Sequence, residues 1–570
     1  MSEISLLNHV TEQLNFQVIL PIIIEDKDGG GKKMQTRKLI TLAMVLGLST
    51  QLHAADTFDM GKVQVVGKDA QTEKIDPARQ QITFEMGERS APMPELVPDV
   101  GPLEFRPMTE KQLLNNFHRE NKDELSVAAG IGTRGSNEII VNGRGSKEGY
   151  IGDVTIRRES RDGFRSSVDT SKTGLEANVS STGEGSYSMT AGGEYSVEEY
   201  AQRGLTTIPS PDAGIENNVS RINVTGNSTL EDGSFFKGNV DIDSMSRDIR
   251  NPAVSFSEEQ TTFSISAGAS YLKKLTDKFK GRAALDLKKD KFTVTAGSDR
   301  DFTKTVLDLG GVYEASAKAT ANFGLKRMSL MSKDEIAPYA SLDYRFSKPW
   351  QLLLAYDVDL GNDSLEKIFM PSRYVAASDI MASHLKTTTG SLNYRTNKGD
   401  TLGVDLFSQT EEDAIEYLDF HNPGKRMLES QLNFVNEAKR SGVSLRGSFK
   451  IEDNFRISLK GTAQTTENNV TGQRLSYEPK RLLDVGFNYT EGKFMVDFTR
   501  RAEFDRLAHT PTATFSADDY SRSDLAVRYK LSERFSTYLK IKDLYDEASQ
   551  IRYDVPEEGR VTLAGLEAHF

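Results

Sequence analysis

Chemistry in this chain would have to come from histidines, carboxylates and serines, because its 570 residues include no cysteine. Disulfides, thiolate metal sites, haem attachment motifs and cysteine nucleophiles are excluded together. Of seven histidines, His9 and His53 precede the expected mature chain. His118, His384, His421, His509 and His569 are dispersed, and none has the spacing of paired metal ligands. Serine and acidic residues are so numerous that a Ser/His/Asp set can be assembled by chance. Its most specific form is a membrane-embedded lipase, with His384, His421 or His509 beside a serine of an outer loop. Gly130 to Gly135 contains a Gly-x-Gly, but no helix follows to make it a phosphate cradle, and strand-and-turn glycines are the better reading. No catalytic residue, metal ligand or cofactor site is assigned on these grounds.

The elements that could position a site are more informative. Trp350, Leu352, Leu354, Tyr356, Val358 and Leu360 alternate with Gln351, Asp357 and Asp359. Phe455, Ile457 and Leu459 alternate with Arg456, Ser458 and Lys460, and Leu525, Val527, Tyr529 and Leu531 with Asp524, Arg528 and Lys530. This is the period of a strand with one apolar and one polar face. A soluble sandwich alternates too, but over segments of about five or six residues; many of these run to ten or more, enough to cross a bilayer when tilted. Glycine is frequent at 45 residues, mean hydropathy is negative, and beyond the N-terminal region no apolar run approaches the length of a membrane helix. A membrane span must therefore be a strand. The net charge of -12 argues against a nucleic-acid partner, which needs clustered cations.

Connections alternate in length. Short turns fall at 346–349, 397–400, 452–454, 491–492 and 532–534, with longer loops at 362–383, 411–426, 465–479, 503–521 and 546–558. In a membrane barrel the short turns face the periplasm and the long loops the exterior. The expected fold is therefore all-β, a large transmembrane antiparallel β-barrel of about 20–22 strands over residues 124–570, with an extended N-terminal periplasmic segment. Asp357, Asp359, Arg446, Lys450, Arg456, Lys460, Arg528, Lys530, Lys540 and Lys542 would line a wet lumen of mixed sign. Trp350, Tyr344, Tyr489, Tyr529 and Tyr538 would form an interfacial girdle. The loop carrying Met370, Pro371, Arg373 and Tyr374 mixes a cation with an aromatic ring, so Arg373 and Tyr374 are candidates for ligand contact or constriction; a bland mobile loop is the competing reading.

Residues 34–54 have the pattern of a signal peptide, with Arg37 and Lys38, an apolar core from Leu39 to Leu48, and Leu52-His53-Ala54 before the expected mature start. Residues 1–33 are then either a start assigned too early or a disordered extension. Residues 55–123 form the periplasmic extension. Its closely spaced Pro92, Pro94, Pro98, Pro102 and Pro107 oppose both helix and central strand and imply an extended tether, with one short helix at 110–117.

The C-terminal hairpin carries a family resemblance. The sequence Asp543-Leu544-Tyr545-Asp546, then Gly559-Arg560, then an alternating strand ending on Phe570 resembles the end of TonB-dependent outer-membrane receptors, departing from their pattern at Asp543 and Tyr545. Asn436-Glu437-Ala438-Lys439-Arg440-Ser441-Gly442-Val443 is similar to a long descending strand of that family, and Asp162-Gly163-Phe164-Arg165 to an early barrel turn. The resemblance implies a TonB box near the mature N-terminus. Asp59 to Gly67, with Val63, Gln64, Val65 and Val66, resembles one, a β-branched run able to lend its backbone to the energy transducer's sheet; an ordinary edge strand or a plug remnant is the alternative. It also implies a plug domain filling the barrel, which is shortened or missing here. Phe570 would be the C-terminal assembly signal.

The expected function is an outer-membrane transport barrel moving an unidentified solute, with outer-membrane lipid, the barrel assembly machinery and the TonB energy transducer as partners. A passive porin-like channel and a structural barrel sheathing a partner protein are the alternatives.

Overall fold

The computed structural model describes residues 124–570, apart from 148, 162–169, 182–186, 202–212, 231, 296–298, 348, 363, 370–373, 376–379, 397–399, 453, 518, 547–549, 553–554 and 557–558. The expected signal peptide, TonB-box-like segment, tether, helix at 110–117 and the Asp162 turn lie outside the described residues. Twenty-two strands form one antiparallel sheet, from Glu124–Gly132 to Val561–His569. The first strand pairs with the last, Val127 opposite Ala568 and Ala129 opposite Leu566, so the sheet closes on itself. Phe570 completes the seam: its amide donates to the Leu125 carbonyl (2.8 Å), and the Leu125 amide returns a longer bond (3.4 Å). Closure leaves no edge along the seam, which hydrocarbon demands because it offers no hydrogen-bond partners.

The alternation read in the sequence is realised as two faces. Leu309 and Leu325, directly paired across two strands, are each 55 % exposed on the outside. On the inner face of the same strands Asp308 and Lys326 are buried. At the end bearing Phe570 no described connection exceeds five residues. On the outside near that end Tyr344, Phe346, Trp350 and Tyr394 form a run of neighbouring rings, Trp350 and Tyr394 4.7 Å apart. Tyr538 departs from the expected girdle. It is buried on the inner face and its hydroxyl donates to Glu138 (3.1 Å), because Leu539 and Ile541 take the outward positions.

The expected loop at 411–426 is mostly strand. Thr401–Asn422 and Met427–Glu452 run 22 and 26 residues and meet through a four-residue turn. At about 3.4 Å per residue the longer reaches roughly 85 Å, far beyond the 9–11 residues a bilayer needs. The outward face marks where hydrocarbon ends: Leu402, Val404 and Leu406 give way to Ser408, and Leu445 and Val443 to Ser441, and those two serines are paired. Above them the acidic residues made the segment look like a loop. Ladder pairing and the burial of Ala414, Tyr417, Leu432 and Val435 keep it extended.

Candidate functional site

That long hairpin does not stand upright in solvent. Its tip reaches the seventh and eighth strands, Phe235–Asn251 and Phe256–Lys274, although it grows from the fifteenth and sixteenth. The buried carboxamide of Asn251 donates to the carbonyls of Lys425 (2.8 Å) and Arg426 (3.2 Å). Met427 packs with Ile215, Ile249 and Tyr374. The hairpin therefore crosses the mouth of the barrel.

Beneath it, residues of the 362–382 connection fold inward. Asn362, in the left-handed region at φ 62°, donates to the carbonyls of Met381 (3.0 Å) and Asp413 (3.2 Å), tying the start of the connection to its end and to the hairpin. A single helical turn, Leu365–Phe369, follows. Phe369 is fully buried and stacks on Phe292 of the ninth strand with centroids 4.1 Å apart, while the Tyr417 hydroxyl donates to the Ile368 carbonyl (2.9 Å). The helical turn is thus held between the ninth and fifteenth strands. An apolar cluster inside a barrel departs from the polar lumen usual in such proteins, and it forms here because the connection supplies Leu365, Ile368, Phe369 and Val375 to cover inward-facing Phe302, Met328 and Leu330.

Tyr374 joins the two layers. Its hydroxyl donates to Glu258 (3.2 Å) and accepts from the Lys425 ammonium (2.5 Å), which also contacts Glu429 (3.2 Å). Burial raises the Tyr374 phenol well above its ordinary value, Glu258 and Glu429 adding to the rise, so the ring stays neutral. The neighbouring Val375 carbonyl accepts from Gln260 (3.0 Å), and the Tyr374 carbonyl accepts from the Ser430 amide (2.8 Å). Arg373 lies outside the described residues.

The wall itself splits beside this cluster. Lys333–Ser347 and Trp350–Gly361 pair only as far as Ala340 opposite Tyr356. Each continues to pair on its other side, to Lys333 and to Gly361. Pro338 explains the stop, because a residue without an N–H is tolerated only along an edge. Beyond the split Val358 and Leu360 bury against Met328, Leu330 and Ala337. Side chains bridge the gap instead: His384 to Glu335 (2.9 Å), Lys333 to Asp413 (2.7 Å), Lys326 to Asp357 (2.5 Å) and Lys304 to Asp359 (3.1 Å).

The remaining residues singled out from sequence are spread around the wall. Arg446 donates to Asp405 (2.9 Å) and Asn393 (3.0 Å), and Arg528 pairs with Glu567 (2.8 Å). Lys460 sits opposite Asp484, and Lys450 opposite Arg456. Lys530 pairs with Glu533 at a short turn, and Lys540 places its ammonium on both oxygens of Glu138 (2.8 and 2.9 Å). Among the described residues the histidines do not form a cluster. His384 has carboxylates at both ring nitrogens, Glu335 and Glu412, in place of a serine, and His509 contacts Thr514. Asn251, Glu258, Gln260 and Lys425 were not legible as site residues; the Asn-Pro pair at 251–252 marks a turn, but nothing local couples it to a tip over 170 residues away.

The C-terminal signature has a structural basis. Asp543 and Asp546 are left-handed, at φ 50° and 54°, and the Asp546 carboxylate accepts from the Arg560 amide (2.6 Å). Gly559, at φ 65°, leaves room for it, since a Cβ there would sit 2.8 Å from that carboxylate.

A closed barrel with inward-folded outer segments is the architecture of an outer-membrane receptor. The sequence model for TonB-dependent receptor-like β-barrels matches residues 114–544, and the chain belongs to that family. It is a transport barrel of the Gram-negative outer membrane. The ferripyoverdine receptor of Pseudomonas aeruginosa is similar in structure at 12% identity, with TM-score 0.60 over 80% of this chain and 72% of that one. The FrpB iron transporter of Neisseria meningitidis is similar at 11%, TM-score 0.62, over 81% and 84%. The ferric-catecholate import receptor Fiu of E. coli K12 is similar at 10%, TM-score 0.61, over 79% and 82%. No curated protein matches in sequence.

Proposed function

We propose that this barrel imports a solute through a mouth roofed by its own hairpin, and that the Val63–Val66 segment lends its backbone to the TonB energy transducer to drive passage. The observation that carries the reading is the docking of the hairpin tip on Asn251, eight strands away around the wall. A solute crossing this side of the mouth must displace that contact, which favours a driven step over free diffusion. In the same reading Phe570 is the residue recognised by the barrel assembly machinery, lipid covers the outward face, and the lysines and arginines of the inner face line the passage. The likeness to iron receptors is one of fold, and the cargo is not assigned from it.

Solute uptake by cells carrying Val65→Pro tests the reading. Lost uptake with normal barrel assembly supports it, and unchanged uptake removes the energised step. Large, steady single-channel conductance of the purified protein in a planar bilayer would favour the passive channel instead, and a stoichiometric protein co-purifying inside the barrel would favour the sheath.

A further inference from the structure

Three breaks in backbone pairing fall at one level of the long hairpin. Thr401–Asn422 pairs with its neighbour Ser383–Arg395 only as far as Glu412, opposite His384. Met427–Glu452 pairs with Phe455–Asn468 only as far as Ala438, and one further bond runs from the Asn469 amide to the Glu437 carbonyl (2.9 Å). Between its own two strands the ladder passes from Glu412 opposite Glu437 to Ala414 opposite Val435 and skips Asp413 and Asn436. Above that level, among the described residues, the hairpin pairs in the β-ladder only with itself, apart from a single bridge between Ser430 and Val375.

The backbone turns where the breaks coincide. Asp413 has φ 55°, in the left-handed region that aspartate tolerates and a β-branched residue opposes. Its carboxylate takes the Lys333 ammonium (2.7 Å), and Glu412 beside it takes His384 (3.4 Å), whose other ring nitrogen meets Glu335 (2.9 Å). Lys333 and Glu335 lie on the stretch of Lys333–Ser347 that has no pairing with Trp350–Gly361, so both links cross the split in the wall. A half-exposed ion pair of this kind is weak enough to open and close. On the hairpin's other flank the Ser476 amide donates to Glu416 (2.9 Å) and the Tyr477 hydroxyl to Asp419 (2.8 Å). Both bonds are close to Asp413 along the strand, where a swing moves the chain far less than at the tip.

We infer that residues 413–437 form a lid that swings as one unit about Asp413 and Asn436, with the Lys333–Asp413 ion pair as the latch that holds it shut across the split wall. Its internal ladder survives such a motion, and no ladder to the wall has to break. At about 3.4 Å per residue the arm from Asp413 to Gly424 is roughly 37 Å long, so a swing of roughly 20° carries the tip about 13 Å off the wall. The inference deepens the reading that solute enters past this roof, on which its role in transport rests, by naming the moving part and its pivot.

The chain has no cysteine, so paired nitroxide labels can be placed by substitution alone. In the full-length protein in detergent, labels at Gly424→Cys and Ser257→Cys read the tip against the wall, and labels at Gly424→Cys and Gln431→Cys read the lid itself. Lys333→Ala should add a tip-to-wall population about 13 Å longer than the parent's. Asp413→Asn loses the charge but keeps the left-handed backbone and should match it, whereas Asp413→Val also opposes that backbone and should populate the longer distance further. The distance within the lid should stay at the parent value in all three variants. The inference is overturned if no variant lengthens the tip-to-wall distance, if Asp413→Val opens no further than Asp413→Asn, or if the distance within the lid broadens as well, which would mean that the hairpin frays instead of swinging. Distances are read without uptake, so a lid that opens on a barrel importing nothing would uphold the hinge and count against the transport reading alone.

Discussion

Asn251 and Lys425 are separated by more than 170 residues, yet the Asn251 carboxamide nitrogen lies 2.8 Å from the Lys425 carbonyl and closes the roof over this side of the mouth. Replacing Asn251 with Ala leaves that carbonyl and the one at Arg426 without their donor, which costs about 1–3 kcal/mol for buried groups. The tip should open. Limited trypsin treatment, which cuts after Lys425 and Arg426, should then cleave there faster than in the parent, at unchanged barrel stability. Equal cleavage would show that the contact does not hold the tip.

Phe369 is the apolar anchor of the inner layer. Truncation to Ala removes the stack on Phe292 and leaves a cavity between the helical turn and the ninth strand, a change that costs about 3–5 kcal/mol at buried sites. That energy exceeds what one turn of helix can supply alone. The amides of the helical turn should lose protection from hydrogen exchange while the barrel ladder keeps it. Retained protection at Ile368, whose amide bonds Ser364, would contradict the role of Phe369.

Arg440 sits buried between Glu411 (2.8 Å) and Glu478 (2.9 Å), above the hydrocarbon boundary. Arg440→Ala would leave two buried carboxylates facing each other, a loss of about 3–5 kcal/mol to the outer segment. Burial raises the Glu478 carboxyl above the usual range, Arg440 opposes that rise, and Glu411 and Glu416 add to it. A folded-state value above the unfolded one means the native form holds the proton more tightly. The stability it contributes is present below the unfolded value and is lost as pH rises through the folded one. The Gln464 amide reports on this, because it donates to the Lys480 carbonyl beside Glu478 (2.8 Å). Its opening equilibrium should grow as pH is raised out of the acidic range, and Glu478→Gln should flatten that dependence. A slope that survives the substitution would assign it elsewhere.

Closure of the barrel turns on a close approach. A Cβ at Gly565 would lie 2.3 Å from the Tyr538 ring and hydroxyl and 2.5 Å from the Ala129 carbonyl, so the last strand can slide between its neighbours only if that position is bare. Gly565→Val should abolish the folded, heat-modifiable band. Tyr538→Ala in the same chain should recover part of it, since one of the two obstacles is gone, and Tyr538→Ala alone should fold at reduced stability because Glu138 loses a donor. A Gly565→Val barrel that assembles normally would refute the packing argument.

Much of this protein was already determined by local pattern. Period-two alternation along Trp350–Gly361 and Phe455–Asn468 and the terminal Phe570 are sufficient for a closed membrane barrel, because a strand in lipid must satisfy its backbone sideways and can do so only in a ring. The aspartates and arginines of the inner face follow from the same alternation. What the tertiary structure alone decided is how the outer segments fold back. The acidic run at 411–420 has the composition of a loop, but it becomes strand once its apolar side finds Phe369 and the opposite wall. Tyr374 stands out in sequence as an exposed aromatic beside a cation, yet it is buried on Glu258 and Lys425, which no local spacing brings near it. Tyr538 fits a girdle by its place near a strand end, and only the register of the last strands turns it inward to Glu138. Alternation specifies which residues share a face, whereas the bending of a strand beyond the membrane depends on contacts between residues hundreds of positions apart, and those exist only once the ring has closed.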